Sequence, residues 1–242
     1  MLDNLVIGMG NIGVATKRFL EHLGYSVEGY DAVKSKGTIS KLEEAERYWI
    51  CTPETAVGGV LNDLRAKKGL VIIRSTTVPG ETDGYIKEFG RHMVHNPAFS
   101  RERSAYSDML KAGKFLVGEC CEEHGWEVAE IYEKIGAEVI RVKPAESEMI
   151  KLATNGFLTT LISYWNEIFG ICEKTGLDAD KIAKTARKRD GRIPEYGTRW
   201  TGKAFGGKCL PKDLNHLIGF AERQGHRAII LESVRKLNQR IK

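Results

Sequence analysis

No apolar run in the chain approaches the roughly 20 residues that a membrane-spanning helix needs, and none of its 242 residues forms a low-complexity tract or an internal repeat. The N-terminus lacks a basic segment followed by an apolar one, so no export signal is read there and a cytoplasmic location is expected. Cysteine is scarce and scattered: Cys51, Cys120, Cys121, Cys172 and Cys209 are an odd five with no C-x-x-C pair. That excludes a disulfide framework and fits a reducing compartment. The adjacent Cys120 and Cys121, in Gly-Glu-Cys-Cys-Glu-Glu-His, read as a strand-end turn in preference to a metal site, for want of C-x-x-C spacing, and no metal is expected. Charge of one sign is also short. The 37 basic and 32 acidic residues leave a formal +5 spread along the chain, so neither a nucleic-acid partner nor a membrane is expected. What remains, 42% hydrophobic and 29% charged, is globular and long enough to bury a real core.

The apolar pattern divides the chain. Up to about residue 142, short β-like runs (Leu5-Val6-Ile7, Tyr48–Cys51, Leu70–Ile73, Lys114–Val117, Val139–Val142) alternate with amphipathic stretches such as Ile12–Leu23 and Glu122–Ile135. Such alternation implies an α/β fold with a mostly parallel sheet covered by helices. From Pro144 onward the strand signals stop. Ile150, Ala153, Phe157, Leu161, Ile168 and Cys172 fall at helical spacing, widened by Leu158, Ile162, Trp165 and Phe169 as far as Gly176. One helix of that length carries more apolar face than a small domain hides, so the helix around 147–175 is expected to pair two copies into a homodimer. Further helices are expected at about 178–189, 211–224 and 228–240. The expected domains are 1–142, α/β, and 143–242, all-helical.

Gly8-Met9-Gly10-Asn11-Ile12-Gly13 follows the first strand and opens the first helix. In a dinucleotide-binding βαβ unit, Gly8 permits the turn, Gly10 lets a pyrophosphate approach, and Gly13 lets helix pack on strand. The N–H groups opening the helix, at Asn11 and Ile12, then face the phosphates. Asp31 ends the second strand, 18 residues past Gly13, and would accept hydrogen bonds from ribose hydroxyls, favouring NAD over a 2′-phosphorylated cofactor. The plain alternative is a structural glycine turn with a solvated aspartate. Only Ala32–Gly37 separates Asp31 from the next β-like piece, Thr38-Ile39. A parallel crossover needs a dozen residues or more, so the Rossmann-like sheet is expected to be shortened after strand 2, with Lys34 and Lys36 in the gap.

Gly206-Gly207-Lys208-Cys209-Leu210-Pro211-Lys212-Asp213 concentrates chemistry. Pro211 suits the first turn of a helix, which places Cys209 before a helix N-terminus between two lysines, where a thiolate is stabilised. The alternative is a buried structural cysteine beside a turn. Lys151 and Asn155 are spaced i, i+4, and a cation with an amide donor can hold an oxyanion; a snorkelling surface lysine is the other reading. Asn96–Glu102 follows a strand and lies where ligands bind in such sheets. There Glu102 is either a base or a first-turn carboxylate. Ser75–Gly80 follows another strand, with hydroxyls able to face a cofactor or a water.

Taken in chain order, these segments resemble the UDP-glucose/GDP-mannose 6-dehydrogenase family. The resemblance is carried by Gly8–Gly13, Cys51-Thr52-Pro53, Ser75–Thr82, Asn96–Glu102, Glu148–Asn155, Ile162–Glu167, Asp190–Ile193 and Phe205–Asp213. It implies oxidation of a sugar 6-hydroxyl to a carboxylate with two NAD per turnover, on a nucleotide sugar or a smaller sugar. It implies that Cys209 attacks the C6 aldehyde to give a thiohemiacetal and then a thioester. Glu102 is implied as the base in hydrolysis, Thr76 and Asp213 as placing the water, and Lys151 and Asn155 as holding the oxyanion. Thr52, Pro53, Thr76 and Glu102 are implied as further cofactor contacts, and Phe99, Ser100, Arg101, Phe205, Gly206 and Gly207 as substrate contacts. Arg192 is implied to reach a sugar in the neighbouring subunit. The family's Pro-Glu-Phe-Leu run has Ala98 and Ser100 here. In the family a second α/β domain that holds UDP follows where this chain stops at Lys242, so weak nucleotide-sugar binding or a separate chain supplying that domain is expected. Two other functions fit part of the pattern. One is a two-electron hydroxyacid-type dehydrogenase, which shares Lys-x-x-x-Asn but has no use for Cys209; the other is a non-catalytic NAD-binding scaffold.

Overall fold

The structure, a computed structural model, describes residues 2–33, 44–199 and 201–241, with Glu102 described in its backbone alone. Strands and helices alternate through β1 (Leu2–Ile7), α1 (Asn11–His22), β2 (Val27–Tyr30), β3 (Ala45–Ile50), α2 (Val57–Asp63), β4 (Leu70–Ile73) and α3 (Glu81–Phe89). They continue as β5 (Met93–His95), α4 (Ala105–Lys111), β6 (Lys114–Gly118), α5 (Glu122–Glu133) and β7 (Glu138–Val142). Among the described residues one sheet takes all seven strands in the order β2-β1-β3-β4-β5-β6-β7. Neighbours are parallel except β5 and β6, which meet antiparallel through the single pair His95↔Gly118.

The inner strands read as unbroken apolar runs because both of their faces are covered. Val6, Trp49, Ile72, Val94 and Val117 pack with Phe19, Leu20, Val128 and Tyr132 on one face. Leu5, Ile7, Tyr48, Ile50, Val71 and Ile73 pack with Val57, Leu61 and Leu64 on the other. Among the described residues β2 pairs with β1 alone and stands at the sheet edge, while β3 returns to the far side of β1. The β-like piece Thr38-Ile39, with Lys34 and Lys36 in the shortened crossover, lies outside the described residues.

Helix α6 (Pro144–Thr175) opens the helical half. It is followed by α7 (Ala179–Arg189), α8 (Glu195–Thr198), α9 (Leu210–Arg223) and α10 (Ile229–Arg240). Asp178 caps α7, accepting from the Lys181 N–H at 2.9 Å. Ile162, Phe205, Leu214, Ile218, Ala228 and Val234 form the helical core. The compact units divide after Lys151, later than the boundary read from the sequence at 142/143. The first turns of α6 go with the sheet because Ser147 and Glu148 bond to it, as described below. Among the described residues no helix is long and apolar enough to cross a membrane.

Candidate functional site

The turn between β1 and α1 needs each of its glycines for a different reason. Gly8 has φ +93°, and a Cβ there would lie 2.8 Å from the Cys51 carbonyl carbon and the Thr52 nitrogen. A Cβ on Gly13 would run into the Gly8 carbonyl oxygen. At Gly10, by contrast, a Cβ would meet no protein atom within 4 Å. Protein packing therefore does not require glycine at 10, whereas a phosphate drawn against the backbone would. Helix α1 starts at the Gly10 N-cap with no capping side chain and no acidic residue in its first turn. The positive end of the helix at Asn11 and Ile12 is thus not neutralised by its own side chains. Asp31 accepts from the Met9 N–H at 2.9 Å and the Val33 N–H at 3.1 Å, so its carboxylate is held against the glycine turn. Just beyond β3, Thr52 has a buried hydroxyl oxygen with no hydrogen-bond partner, and Pro53 opens a short 3₁₀ turn. An open cradle, an unneutralised helix start and an orphaned hydroxyl are the features a dinucleotide would satisfy.

The ends of β4 and β5 carry a buried polar network that sequence reasoning missed. Arg74 is 4% exposed; it donates to the Asn96 Oδ1 and, at 2.8 Å, to the Tyr132 hydroxyl. Asn96 Nδ2 donates to the Leu116 carbonyl at 2.7 Å, so the loop Asn96–Glu102 leaves the sheet from a fixed point. His95 is fully buried. Its Nε2 lies 3.3 Å from the Ser75 carbonyl and must carry the proton there, which leaves Nδ1 to accept from the Ser147 hydroxyl at 2.9 Å. Burial pushes its pKa down to about 3. Glu148, also fully buried, accepts from the Gly80 N–H at 2.6 Å, the Thr82 N–H at 2.9 Å and the Thr82 hydroxyl at 2.7 Å. It thereby caps α3 from α6 and fixes the loop that carries Ser75 and Thr76.

Of the other loop residues, Lys151 is 7% exposed with its Nζ 4.8 Å from the centre of the Phe99 ring, so a snorkelling surface lysine is not what is found. Phe99 itself is 47% exposed. Arg101, implied as a substrate contact, is paired bidentately with Asp108 through Nε at 3.1 Å and Nη2 at 2.7 Å. That pairing holds the Asp108 carboxyl well below the usual range. Ser100 and Thr76 are half-buried in their loops. Glu102 begins a short 3₁₀ turn, and its side chain lies outside the described residues.

In the helical unit, Cys209 is exposed at the N-cap of α9 with Pro211 in the first turn, so the buried-structural alternative does not hold. Gly207, at φ +75°, makes the turn into the cap. Asp213 is fully buried; it accepts from Asn155 Nδ2 at 2.5 Å, pairs with Lys212 Nζ at 2.9 Å, and gives its N–H to the Cys209 carbonyl at 2.8 Å. Asn155, Asp213 and the N-cap thus form one connected assembly. Phe205, implied as a substrate contact, is 3% exposed. Its ring is in the helical core, and its N–H and carbonyl are both bonded to the Asn238 amide, at 2.8 and 3.0 Å. It anchors the Gly206-Gly207 turn. Arg192 is exposed and paired with Asp190 through Nε at 2.9 Å and Nη2 at 2.6 Å.

Residues 145–240 match the profile of the UDP-glucose/GDP-mannose dehydrogenase family, central domain. The UDP-glucose 6-dehydrogenase TuaD of Bacillus subtilis (strain 168) is 31% identical over 211 residues, covering 84% of this chain and 44% of that protein. The UDP-glucose 6-dehydrogenase of Pseudomonas aeruginosa is 30% identical over 193 residues, covering 73% of this chain and 42% of its own. Among solved structures, a UDP-glucose dehydrogenase from the hyperthermophilic archaeon Pyrobaculum islandicum superposes with a TM-score of 0.84 at 26% identity. That superposition covers 99% of this chain and 68% of the other. This chain thus spans less than half the length of the two curated relatives. Residues 145–240 thus carry the central domain of the UDP-glucose/GDP-mannose dehydrogenase family, and the chain as a whole is similar to UDP-glucose 6-dehydrogenases.

Proposed function

We propose that the chain carries out NAD-dependent oxidation of the 6-hydroxyl of a nucleotide sugar to a carboxylate, through a thioester on Cys209. The observation that carries this reading is the assembly at the start of α9: an exposed cysteine at a helix N-cap, bonded through the backbone to a fully buried aspartate that fixes an amide. A two-electron dehydrogenase needs no such thiol. Bound NAD would accept the hydride leaving C6, once from the alcohol and, after cofactor exchange, once from the thiol adduct. Gly8, Gly10 and Gly13 admit the pyrophosphate, α1 presents its positive end to it, and Asp31 faces the ribose. Lys151 and the second amide hydrogen of Asn155 donate to the oxygen on C6 as charge develops there. Cys209 forms the C–S bond to the aldehyde carbon, and that bond breaks when water, placed by Thr76 and Asp213 and deprotonated by Glu102, releases the acid and returns the thiol.

The same reading includes a second copy of this chain as partner. Ile150, Phe157, Tyr164 and Ile171 are exposed at 38–57% and recur every seventh residue of α6. That repeat keeps one apolar seam facing a neighbouring helix.

The test is an assay of UDP-, GDP- and free sugars with NAD, followed by the absorbance of reduced cofactor. The expected stoichiometry is two reduced cofactors per sugar consumed. One per sugar, with undiminished turnover in Cys209→Ser, would replace the reading with a two-electron dehydrogenase. Measurable NAD binding with no reduction on any substrate would replace it with a scaffold.

A further inference from the structure

At the end of the sheet opposite the glycine turn, four side chains that the proposed reaction does not use converge. His92 immediately precedes β5, Cys120 and Cys121 follow β6, and His124 lies in the first turn of α5. Antiparallel pairing of β5 with β6 brings the start of one to the end of the other. Cys120 Sγ lies 3.9 Å from Cys121 Sγ and 3.4 Å from His92 Nδ1. Cys121 Sγ lies 3.8 Å from His92 Nδ1 and 2.9 Å from His124 Nδ1, and the two imidazoles stack at 4.6 Å. One ligand atom from each of the four falls within 4.8 Å of the others.

From this geometry we propose that His92, Cys120, Cys121 and His124 form a structural zinc site. The usual Zn–S and Zn–N lengths put tetrahedral ligand edges at about 3.8 Å for S···S, 3.6 Å for S···N and 3.3 Å for N···N. The four S···S and S···N separations given above lie within about 0.7 Å of those edges, and the remaining pairs, all within 4.8 Å, close by up to about 1.5 Å on binding. Two thiolates and two neutral imidazoles are the donor set that selects zinc over calcium or magnesium, which require oxygen. Zinc would displace one proton from each thiol to solvent and leave a neutral centre. Neutrality matters here because the cavity that His92 and His124 line carries Arg65, Lys67, Lys68 and Arg91 against only Glu46 and Glu127, an excess of positive charge that would repel an uncompensated cation. His92 is exposed while the other three are half-buried, so the metal has a way in. The sequence expectation of a metal-free turn weighed only the spacing of the cysteines; His124 follows Cys121 by three residues, and strand order supplies His92.

The site has a mechanical consequence. The pair β6–β7 joins the parallel strands through one register pair, His95↔Gly118, the thinnest junction in the sheet. A metal tying His92 to Cys120 and Cys121 closes that junction again, next to the strand that ends at His95.

The test uses the full untagged chain, stripped with chelator and reloaded with zinc or cobalt alone. Elemental analysis after gel filtration is expected to give one zinc per chain, and cobalt to give the intense visible bands and thiolate charge transfer of a tetrahedral sulfur-bearing site. Zinc should raise the melting temperature of the stripped chain by at least about 5 °C. Cys120→Ser/Cys121→Ser and, separately, His92→Gln should lose that shift and at least about tenfold in metal affinity, while Cys209→Ser keeps both. His92→Gln changes an exposed side chain, so it keeps the test interpretable if the double variant fails to fold. The site is refuted by a stripped chain that takes up no zinc, by a six-coordinate cobalt spectrum, by variants that hold metal as the wild type does, or by a zinc-free protein whose mass shows a Cys120–Cys121 disulfide.

Discussion

Asp213 has no exposure to solvent, and its partners are Asn155, Lys212 and the N-cap backbone of Cys209. A buried carboxylate is tolerated only while its hydrogen bonds are made. Asn155→Ala removes a donor at 2.5 Å and is expected to cost about 2 kcal/mol of stability, read as a lower urea midpoint; an unchanged midpoint would mean the bond contributes nothing. Cys209 is exposed and supports no packing, so Cys209→Ser should leave the melting temperature within about 1 °C of wild type. The same change should reduce carboxylate formation at least about a hundredfold, as seen by sugar-acid chromatography. His95 gives a third prediction, on pH. Its burial lowers its pKa from 6.5 to about 3. Below 6.5 the unfolded chain takes up a proton that the folded chain refuses, so this group's contribution is complete above 6.5 and is lost as pH falls toward 3. The loss is about 1.4 kcal/mol per pH unit over that window. Between pH 7 and 5 the urea midpoint of His95→Gln should therefore fall less than that of the wild type; an equal fall would place the acid sensitivity elsewhere.

The β1–α1 turn separates what folding needs from what a ligand needs. A Cβ on Gly13 collides with the Gly8 carbonyl oxygen, whereas one on Gly10 meets nothing. Gly10→Ala is expected to fold with an unchanged melting temperature yet bind NAD at least about tenfold more weakly by titration calorimetry, because the methyl occupies the phosphate approach. Gly13→Ala is expected to lower the melting temperature itself. Equal NAD affinity in Gly10→Ala would remove the phosphate from this turn. That turn was legible in the sequence because its constraints are local: left-handed φ and close approach admit only glycine. The strands were legible for a similar reason, as burial on both faces leaves unbroken apolar runs such as Leu70–Ile73. The Arg74–Asn96–Tyr132 network, His95 with Ser147, and Glu148 on α3 were not. Their partners lie 22 to 68 residues apart and meet only because strand order brings them together. The one local hint was an arginine directly after Leu70–Ile73. Arg101 and Phe205 are named by position in a motif, which carries no sign of the bonds that Arg101 makes to Asp108 and Phe205 to Asn238.

At the scale of the whole molecule, the surface that calls for a partner is the exposed apolar stripe of α6. An isolated exposed apolar residue needs no reason, but four on one helix at strict sevenfold spacing do. The surface continues within the helical unit, where Tyr164 shares a groove with Ile229, Ile230 and Leu237. Ile229 and Ile230 are exposed at 62% and 68%. A seam on a 32-residue helix is long enough to lie against its own copy over several heptads, burying one aromatic or aliphatic side chain per repeat. Each such side chain is worth about 1.5–3 kcal/mol when fully covered, so charging two of the four should overwhelm a dimer of ordinary strength. Phe157→Glu/Tyr164→Glu is therefore expected to sediment as a monomer where the wild type sediments at twice the chain mass. Because both positions already face solvent in the single chain, the variant should retain its helical circular dichroism. A wild-type chain that stays monomeric at high micromolar concentration would leave the stripe without a second copy to cover it.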